Sequence, residues 1–269
     1  MVVIITRRTM PVTAMPNSLD DLWRKCCRGA LFSTGLAGVL WSLIATPSFW
    51  AEAQVSSVAT RILVGEQFKQ GVLDPIALRI NARSQSAPQY PDLVRARALI
   101  AVRFAEEALQ SRRSQDPDQK LADAEGKLKS SLMLNPADAF LWLMLYWVTN
   151  ERSGFEAANI RYLEQSYAAG PYEGWIALRR NKLALAIFPS LAGELQQKVI
   201  AEFAGMVESE FTEDAARNLM GIGWPQKDRL LASLARVNIV ARESFAKRLA
   251  QDGVRVAVPG VNLPERMWR

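Results

Sequence analysis

The sequence predicts an all-α protein, a stack of antiparallel helix pairs that follows an N-terminal signal or membrane anchor. Three observations lead to this prediction. Downstream of residue 54, apolar residues recur at the three- and four-residue spacing of amphipathic helices. Proline and glycine interrupt these runs at intervals of about one helix length. No alternating run of β-branched and aromatic residues bounded by hairpin turns occurs before the C-terminal tail.

Residues 1–53 have the layout of a targeting segment. Positive charge in Arg24–Arg28 is followed by the uncharged stretch Gly29–Ala51, by a helix-breaking Pro47 and by an Ala-x-Ala site that ends at Ala53. This order predicts a secretory signal that is cleaved after Ala53. The alternative is an uncleaved anchor, because the uncharged stretch reaches the roughly 20 residues that a membrane helix needs. In both cases the positive charges stay in the cytoplasm and the remaining chain faces the periplasm.

Two features of the composition exclude whole classes of catalytic and metal site. The chain has no histidine, which excludes His-based triads, His metal sites and His pH switches. Its two cysteines, Cys26 and Cys27, are adjacent and precede the helical body, which therefore has no thiol nucleophile, no Cys/His zinc site and no disulfide framework. Motifs for phosphate loops, dinucleotides and serine nucleophile elbows do not occur. We expect neither a metal nor a cofactor.

The net charge of +6 does not identify a nucleic-acid protein. Basic and acidic residues are interspersed through the helical body, with no basic block larger than pairs and triples such as Arg179-Arg180. Such a pattern is typical of solvated helix faces. We therefore expect no nucleic-acid partner.

The helical body is predicted over residues 54–253 and the C-terminal tail over 254–269. An apolar stripe from Val58 to Phe68 and a short helix after Pro75 come first. Asp92 is predicted to cap a long helix, and Pro117 is predicted to open the next helix, which runs to Leu134. The tail alternates over a few residues and predicts either an ordered edge segment or a loose end. Later helices are predicted near 173–188, 190–208, 212–220, 226–235 and 238–252.

A run of ten apolar residues, 139–148, follows directly after Leu134-Asn135-Pro136. It is too short to cross a bilayer, which takes about 20 residues. A helix that is apolar on all sides must be covered by protein on all sides. A stack of helix pairs provides such cover, because one pair cannot bury its own apolar face and its neighbours pack against it. This run therefore predicts a buried helix between neighbouring pairs.

Spacing within residues 92–188 indicates a repeat. Pro136 and Pro171 are 35 residues apart, and Trp142 and Trp175 are 33 apart. Residues 150–154 are predicted to form the turn within one repeat. In a 34-residue helix-turn-helix repeat, the small, large, small, apolar and proline positions of the second helix are occupied by Ala124, Leu128, Ser131, Leu132 and Pro136. The Trp and Leu positions of the next first helix are occupied by Trp142 and Leu145. The small and large positions then recur at Ala158 and Tyr162.

This pattern resembles the tetratricopeptide (TPR) family. It departs from the family at Tyr146, where a glycine is usual, and at Gln165, where a small residue is usual. The resemblance implies stacked antiparallel helix pairs whose concave face binds other proteins, and it carries no catalytic residues to this chain.

Aromatic residues are concentrated between positions 142 and 175. Trp142, Tyr146 and Tyr162 are predicted to be core residues, because they share helix faces or occupy core positions of the repeat. Residues around the Gly170-Pro171 turn are predicted to be at least partly exposed and to form a binding surface, since aromatic side chains anchor protein interfaces and stack on sugar rings. This candidate binding surface comprises Tyr167, Tyr172, Trp175, Arg179 and Arg180.

Other candidate sites are weaker. Four glutamates, Glu151, Glu156, Glu164 and Glu173, could serve glycan hydrolysis, which needs two facing carboxylates. No spacing distinguishes two of them, so they are interpreted as solvated. The Gly221–Pro225 segment is interpreted as a helix-to-helix turn with a packed tryptophan.

These observations predict a non-catalytic adaptor in a bacterial envelope, facing the periplasm and in contact with a membrane only through its N-terminal segment. Its expected partners are envelope proteins. The signal together with LNPADAFLWLML and SYAAGPYEGWIALRRN resembles exported helical proteins associated with exopolysaccharide production, which implies partners in polysaccharide biosynthesis or export. One alternative is a carbohydrate-binding module that uses Tyr172, Trp175, Arg179 and Arg180. A second alternative is a glycan-active enzyme with an unrecognised glutamate.

Overall fold

The computed structural model describes residues 23, 25, 27–42, 75, 78, 91–110 and 116–262. The chain divides into two compact units, Met1–Gln54 and Val55–Arg269. In the first unit, residues 27–42 are helical and exposed. Within the described residues, no helix combines the length and hydropathy that crossing a membrane requires. The expected cleavage site at Ala53 and the stripe from Val58 to Phe68 lie outside the described residues.

The predicted all-α class is confirmed, since every regular element in the described part of the second unit is helical. Short 3-10 turns at Ala157–Asn159, Phe188–Ser190, Trp224–Gln226 and Leu234–Arg236 connect several of the helices. The α-helices are α1 (Pro91–Gln110), α2 (Pro117–Leu134), α3 (Ala139–Ser153), α4 (Ile160–Ala169), α5 (Gly174–Ala186), α6 (Gly193–Glu208), α7 (Thr212–Met220), α8 (Lys227–Ser233) and α9 (Ile239–Gln251).

Side-chain caps fix the ends of the helices that the sequence predicted best. Asp116 accepts a hydrogen bond from the backbone N–H of Gln119, and Pro117 occupies the first turn of α2 as predicted. Asp138 caps α3 by accepting from two backbone N–H groups, and its carboxylate also pairs with Arg95 of α1. One carboxylate thus fixes the start of α3 and its position against α1.

Two predicted boundaries are wrong. Helix α1 begins at Pro91, so that Asp92 lies in its first turn and is not the cap. Helix α3 continues through most of the predicted turn at residues 150–154 and ends at Ser153, and the Gly154 N–H still donates to the Asn150 carbonyl four residues earlier. Gly154, at a φ of 83°, then ends the helix.

Consecutive helices pack as neighbouring pairs: α1 with α2, α3 with α4, and α5 with α6, while α7, α8 and α9 pack on α6. The antiparallel direction of α3 and α4 follows from two contacts. The Ser166 hydroxyl donates to the Ala139 carbonyl at 2.8 Å, and the ring of Trp142 lies against that of Tyr162. Between α2 and α3, Arg152 near the end of α3 pairs with Glu125 of α2 at 2.7 Å.

An offset of 35 residues relates the starts of α3 and α5, and the same offset relates the ends of α2 and α4, at Leu134 and Ala169. Helices α3 and α5 begin at Ala139 and Gly174, and their preceding cap residues are Asp138 and Glu173. The expected equivalence of Trp142 with Trp175 is therefore wrong by two positions. Phe140 is the equivalent of Trp175, and the two rings are in contact with centroids 5.0 Å apart.

The run 139–148 is a buried helix as predicted, with only Trp142 and Trp147 half-buried. Tyr146 is a core residue, but Trp142 and Tyr162 pack on the edge of the core and remain partly exposed. Ala158, expected at a core position, is exposed because it lies in the 3-10 turn before α4.

The tail is ordered over its described part, residues 254–262. Val258 is buried, and the guanidinium of Arg242 on α9 donates a hydrogen bond to the Pro259 carbonyl. The structure therefore favours the ordered alternative for these residues, although they form no strand.

The tight turn before α5 generates a prediction. A Cβ atom at Gly170 would lie 2.7 Å from the Ala139 Cβ, so Gly170→Ala forces the end of α4 away from the start of α3. We expect a loss of about 1–3 kcal/mol in the free energy of unfolding, measured by urea denaturation. Gly126→Ala is the matched control: its Cβ would meet nothing within 4 Å in the interior of α2, and it should stabilise by up to about 1 kcal/mol. Equal effects of both changes would contradict the tight contact.

Candidate functional site

The five residues of the candidate binding surface separate into a buried group and an exposed group. Tyr172 is 96% exposed, Trp175 is 38% exposed, and the Arg179 side chain is partly exposed. Tyr167 and Arg180 are buried, at 3% and 0% exposure. The expectation that Tyr167 is exposed is wrong, and Arg180 cannot contribute to a surface for either a protein or a sugar.

Arg180 is the centre of a buried polar network between the second and third helix pairs. Its Nε and Nη2 both donate to Oε1 of Glu202 on α6, at 2.8 and 2.7 Å. Its remaining donors reach the C-terminal end of α4, at the Ser166 carbonyl (2.6 Å) and the Gly170 carbonyl (2.9 Å). The guanidinium also lies over the ring of Tyr167, 4.1 Å from its centroid. One side chain thereby connects α4, α5 and α6.

The second carboxylate oxygen of Glu202 completes the network. The Tyr167 hydroxyl donates to Oε2 at 2.6 Å, and the Asn181 amide lies 3.4 Å from the same oxygen. Asn181 also donates to the Val199 carbonyl, and its own oxygen accepts from Asn218 of α7. The charge of Arg180 is thus neutralised by Glu202, and the polar groups around the pair satisfy one another.

The offset of 35 residues allows the residues of this network to be compared with the equivalent residues of the preceding interface. Arg180 occupies the position that Leu145 holds in the preceding pair, and Tyr167 near the end of α4 corresponds to Leu132 near the end of α2. Leu145 and Leu132 are buried apolar residues. The interface between the first and second pairs is therefore apolar at positions where the next interface is charged. Sequence reasoning missed Glu202 because glutamate usually marks an exposed face. Applying the offset to Leu132 and Leu145 would have indicated that Tyr167 and Arg180 are buried, and a buried arginine calls for a carboxylate partner.

Burial changes the titration of the network. Removal from water raises the pKa of Glu202 from its ordinary value, and the nearby Arg180 opposes that shift. Burial, followed by the charge of Glu202, raises the pKa of Tyr167 well above its ordinary value. The folded protein thus holds the Tyr167 phenol in its neutral, hydrogen-bond-donating form.

The exposed group lies at the N-terminal end of α5. The Trp175 ring rests on Phe140 of α3. One turn later, Arg179 donates to the Met144 sulfur at 3.8 Å and pairs with Glu106 of α1 at 3.4 Å. We call Tyr172, Trp175 and Arg179 the α5 surface. It is continuous with α3 and α1 through these contacts.

The remaining sequence candidates are placed as follows. The four glutamates Glu151, Glu156, Glu164 and Glu173 are exposed, as expected for solvated residues. The Gly221–Pro225 segment is a helix-to-helix turn as predicted, closed by a hydrogen bond from the Gly223 N–H to the Asn218 carbonyl. Its Trp224 is 39% exposed, with Lys227 over its ring, so the expectation of a packed tryptophan is wrong.

Comparisons with protein-family models, with curated proteins and with solved structures found no match to this chain.

The buried pair generates a prediction about stability. Arg180→Leu or Glu202→Leu alone leaves a charge buried without its partner, and each should cost about 3–5 kcal/mol in the free energy of unfolding. The combined variant Arg180→Leu/Glu202→Leu/Tyr167→Phe recreates the apolar chemistry of the preceding interface. We expect it to be more stable than either single Leu variant, measured by urea denaturation.

An exposed pair supplies the control for that cycle. Glu194 and Lys198 are one turn apart on α6 and form a solvent-exposed ion pair. Their replacement by leucine, singly or together, should change the unfolding midpoint little. Losses that simply add across the Arg180, Glu202 and Tyr167 changes would show that the three side chains do not act as one network.

The raised pKa of Tyr167 generates a prediction about pH. Because the folded protein retains the phenol proton more tightly than the unfolded chain, this contribution to stability is complete below the ordinary tyrosine pKa of 10.0 and is lost as the pH rises above it. Tyr167→Phe should therefore flatten the alkaline fall of the unfolding free energy. Tyr172→Phe, at the exposed position, should leave the alkaline slope of the unfolding free energy as in the wild type. Identical slopes for both variants would refute the assignment of this pH dependence to Tyr167.

Proposed function

We propose that this protein is a non-catalytic adaptor of the bacterial envelope, exported to the periplasm or anchored to face it, which binds partner proteins through the α5 surface. The observation that carries the proposal is the exposure of two large aromatic residues, Tyr172 and Trp175, at one turn of a closely packed helical stack. Aromatic residues and arginine are the side chains that most often dominate binding energy at protein interfaces.

The backbone that presents these residues is held tightly, which favours binding. Gly170 lies against Ala139, and a Cβ atom at Gly174 would be 2.9 Å from the Phe211 ring. The Gly170 carbonyl also accepts a hydrogen bond from buried Arg180. A binding loop that is already ordered loses little conformational entropy when a partner docks.

Arg179 adds a charged group to this aromatic turn. Its ion pair with Glu106 is long at 3.4 Å and partly exposed, and its other contact is to a thioether, which is a weak acceptor. Such a guanidinium can exchange these contacts for a group on a partner at little cost. The α5 surface thus combines the apolar area of Tyr172 and Trp175 with the positive charge of Arg179, which can favour partners that present a negative group.

The burial of the Arg180–Glu202–Tyr167 network supports a structural role for these titratable groups. Arg180, Glu202 and Tyr167 are closed to solvent and bonded to one another, so they offer no contact to a substrate. The placement in the envelope is supported by the order of charge, apolar stretch and Ala-x-Ala site in residues 24–53. The sequence resemblance directs the search for partners toward polysaccharide biosynthesis or export.

Site-specific photo-crosslinking in the native host tests the proposal. A photoreactive phenylalanine analogue at position 172 should give a discrete protein adduct on irradiation, and Trp175→Ala should remove that adduct because it deletes the neighbouring anchor. Mass spectrometry of the adduct identifies the partner.

The matched control carries the same analogue at Met133, which is 79% exposed on a different helix. Adducts of equal yield at both positions, or no adduct at position 172 in a folded and exported protein, would refute the α5 surface as the docking site.

A further inference from the structure

A second aromatic group lies at the surface between α3 and α4. The indole of Trp142 packs nearly parallel to the ring of Tyr162, with centroids 6.1 Å apart and planes inclined by 18°. The guanidinium of Arg161 lies 4.8 Å from the Tyr162 centroid and donates to the Tyr162 hydroxyl at 2.8 Å. Trp142 Nε1 donates to the Pro136 carbonyl at 2.8 Å in a solvent-exposed position. The indole is thereby fixed in one orientation at the surface.

The packing of the helix pairs does not require this group. At the offset of 35 residues, Trp142 corresponds to Ala177 in the next pair, and Tyr162 corresponds to Lys127 in the preceding pair. Both equivalent helices form and pack without an aromatic residue at these positions. Trp142 and Tyr162 themselves remain partly exposed at the edge of the core. The aromatic pair is thus an addition to the repeated structure.

Polar side chains flank the aromatic rings on α4. Gln165 follows Tyr162 by three residues and therefore lies on the same side of the helix. Arg161 precedes Tyr162, and its guanidinium reaches over the Tyr162 ring. Both residues are exposed. An arginine and an amide together offer donors and an acceptor at the edge of the rings. We call Trp142, Tyr162, Arg161 and Gln165 the indole platform.

We propose that the indole platform binds carbohydrate, with one pyranose ring of an oligosaccharide stacked on the Trp142–Tyr162 pair. A pyranose ring presents an apolar face of C–H groups and a rim of hydroxyl groups. The aromatic faces match the first, and Arg161, Gln165 and the Tyr162 hydroxyl match the second. A sugar that stacks through its C–H face needs no hydrogen bond from the indole, and Trp142 Nε1 already donates its proton to the Pro136 carbonyl.

The same observation disfavours a proline-rich peptide, the other common ligand of exposed aromatic residues. Its carbonyl groups need donors directed outward from the aromatic groove, and the indole N–H is directed at Pro136. The indole platform shares no residue with the α5 surface, so the inference stands independently of the proposed protein docking.

Saturation-transfer NMR on the full chain tests the inference with cellohexaose, chitohexaose and polygalacturonate, which vary the ring substituents. At least one should receive saturation at its ring C–H protons. Trp142→Ala should weaken that binding about tenfold, since it removes the stacking surface while introducing the residue found at the equivalent position 177. Trp175→Ala, which alters the α5 surface, should leave the binding unchanged.

Arg161→Ala and Gln165→Ala provide readouts that do not depend on the fold tolerating the loss of Trp142, because both positions are exposed. Each should weaken binding several-fold with an unchanged unfolding midpoint. The inference is overturned if none of the three saccharides binds, if binding survives these substitutions, or if only a decaproline peptide binds. Loss of saccharide binding in the Trp175→Ala variant, but not in Trp142→Ala, would also overturn the inference. The adaptor proposal is tested separately, by the crosslinking experiment at position 172.

Discussion

The buried ion pair of Arg180 and Glu202 is the interaction on which the middle of this helical stack depends. A guanidinium with no exposure to solvent is tolerated only when its charge is neutralised and its donors are bonded. Glu202 provides the charge from α6, and the Ser166 and Gly170 carbonyls provide acceptors from the end of α4. Helices α4, α5 and α6 must therefore close together, because no two of them satisfy Arg180 alone.

The two successive interfaces of the stack show different ways to join helix pairs of the same geometry. The first uses Leu132 and Leu145, whose contacts are non-directional and tolerate small shifts. The second places Tyr167 and Arg180 at the equivalent positions, and their hydrogen bonds fix distances and angles. The polar interface therefore determines the relative position of α4 and α5 more narrowly than burial alone would.

Local signals in the sequence predicted most of the fold, and they failed where distant residues decide. The start of α2 was readable from Asp116-Pro117, and α7 lies within the predicted residues 212–220, because caps and breakers act over one turn. The offset was misread because Trp142 and Trp175 share an identity but not a position. The burial of Arg180 depends on Glu202, 22 residues away. Three of the five candidate surface residues were therefore placed correctly, and the other two belong to the core.

The core network and the α5 surface are connected through the backbone of the turn between α4 and α5. Arg180 Nη2 donates to the Gly170 carbonyl, and Tyr172 lies two residues later. This fixed point of the core is thus close to Tyr172, the most exposed aromatic side chain among the described residues. An aromatic residue on a loosely held loop would lose conformational freedom on binding a partner. Here the hydrogen bond from buried Arg180 fixes the start of the turn within the chain itself. For the proposed adaptor, this is a reason to have a charged network at a position where the preceding interface is apolar.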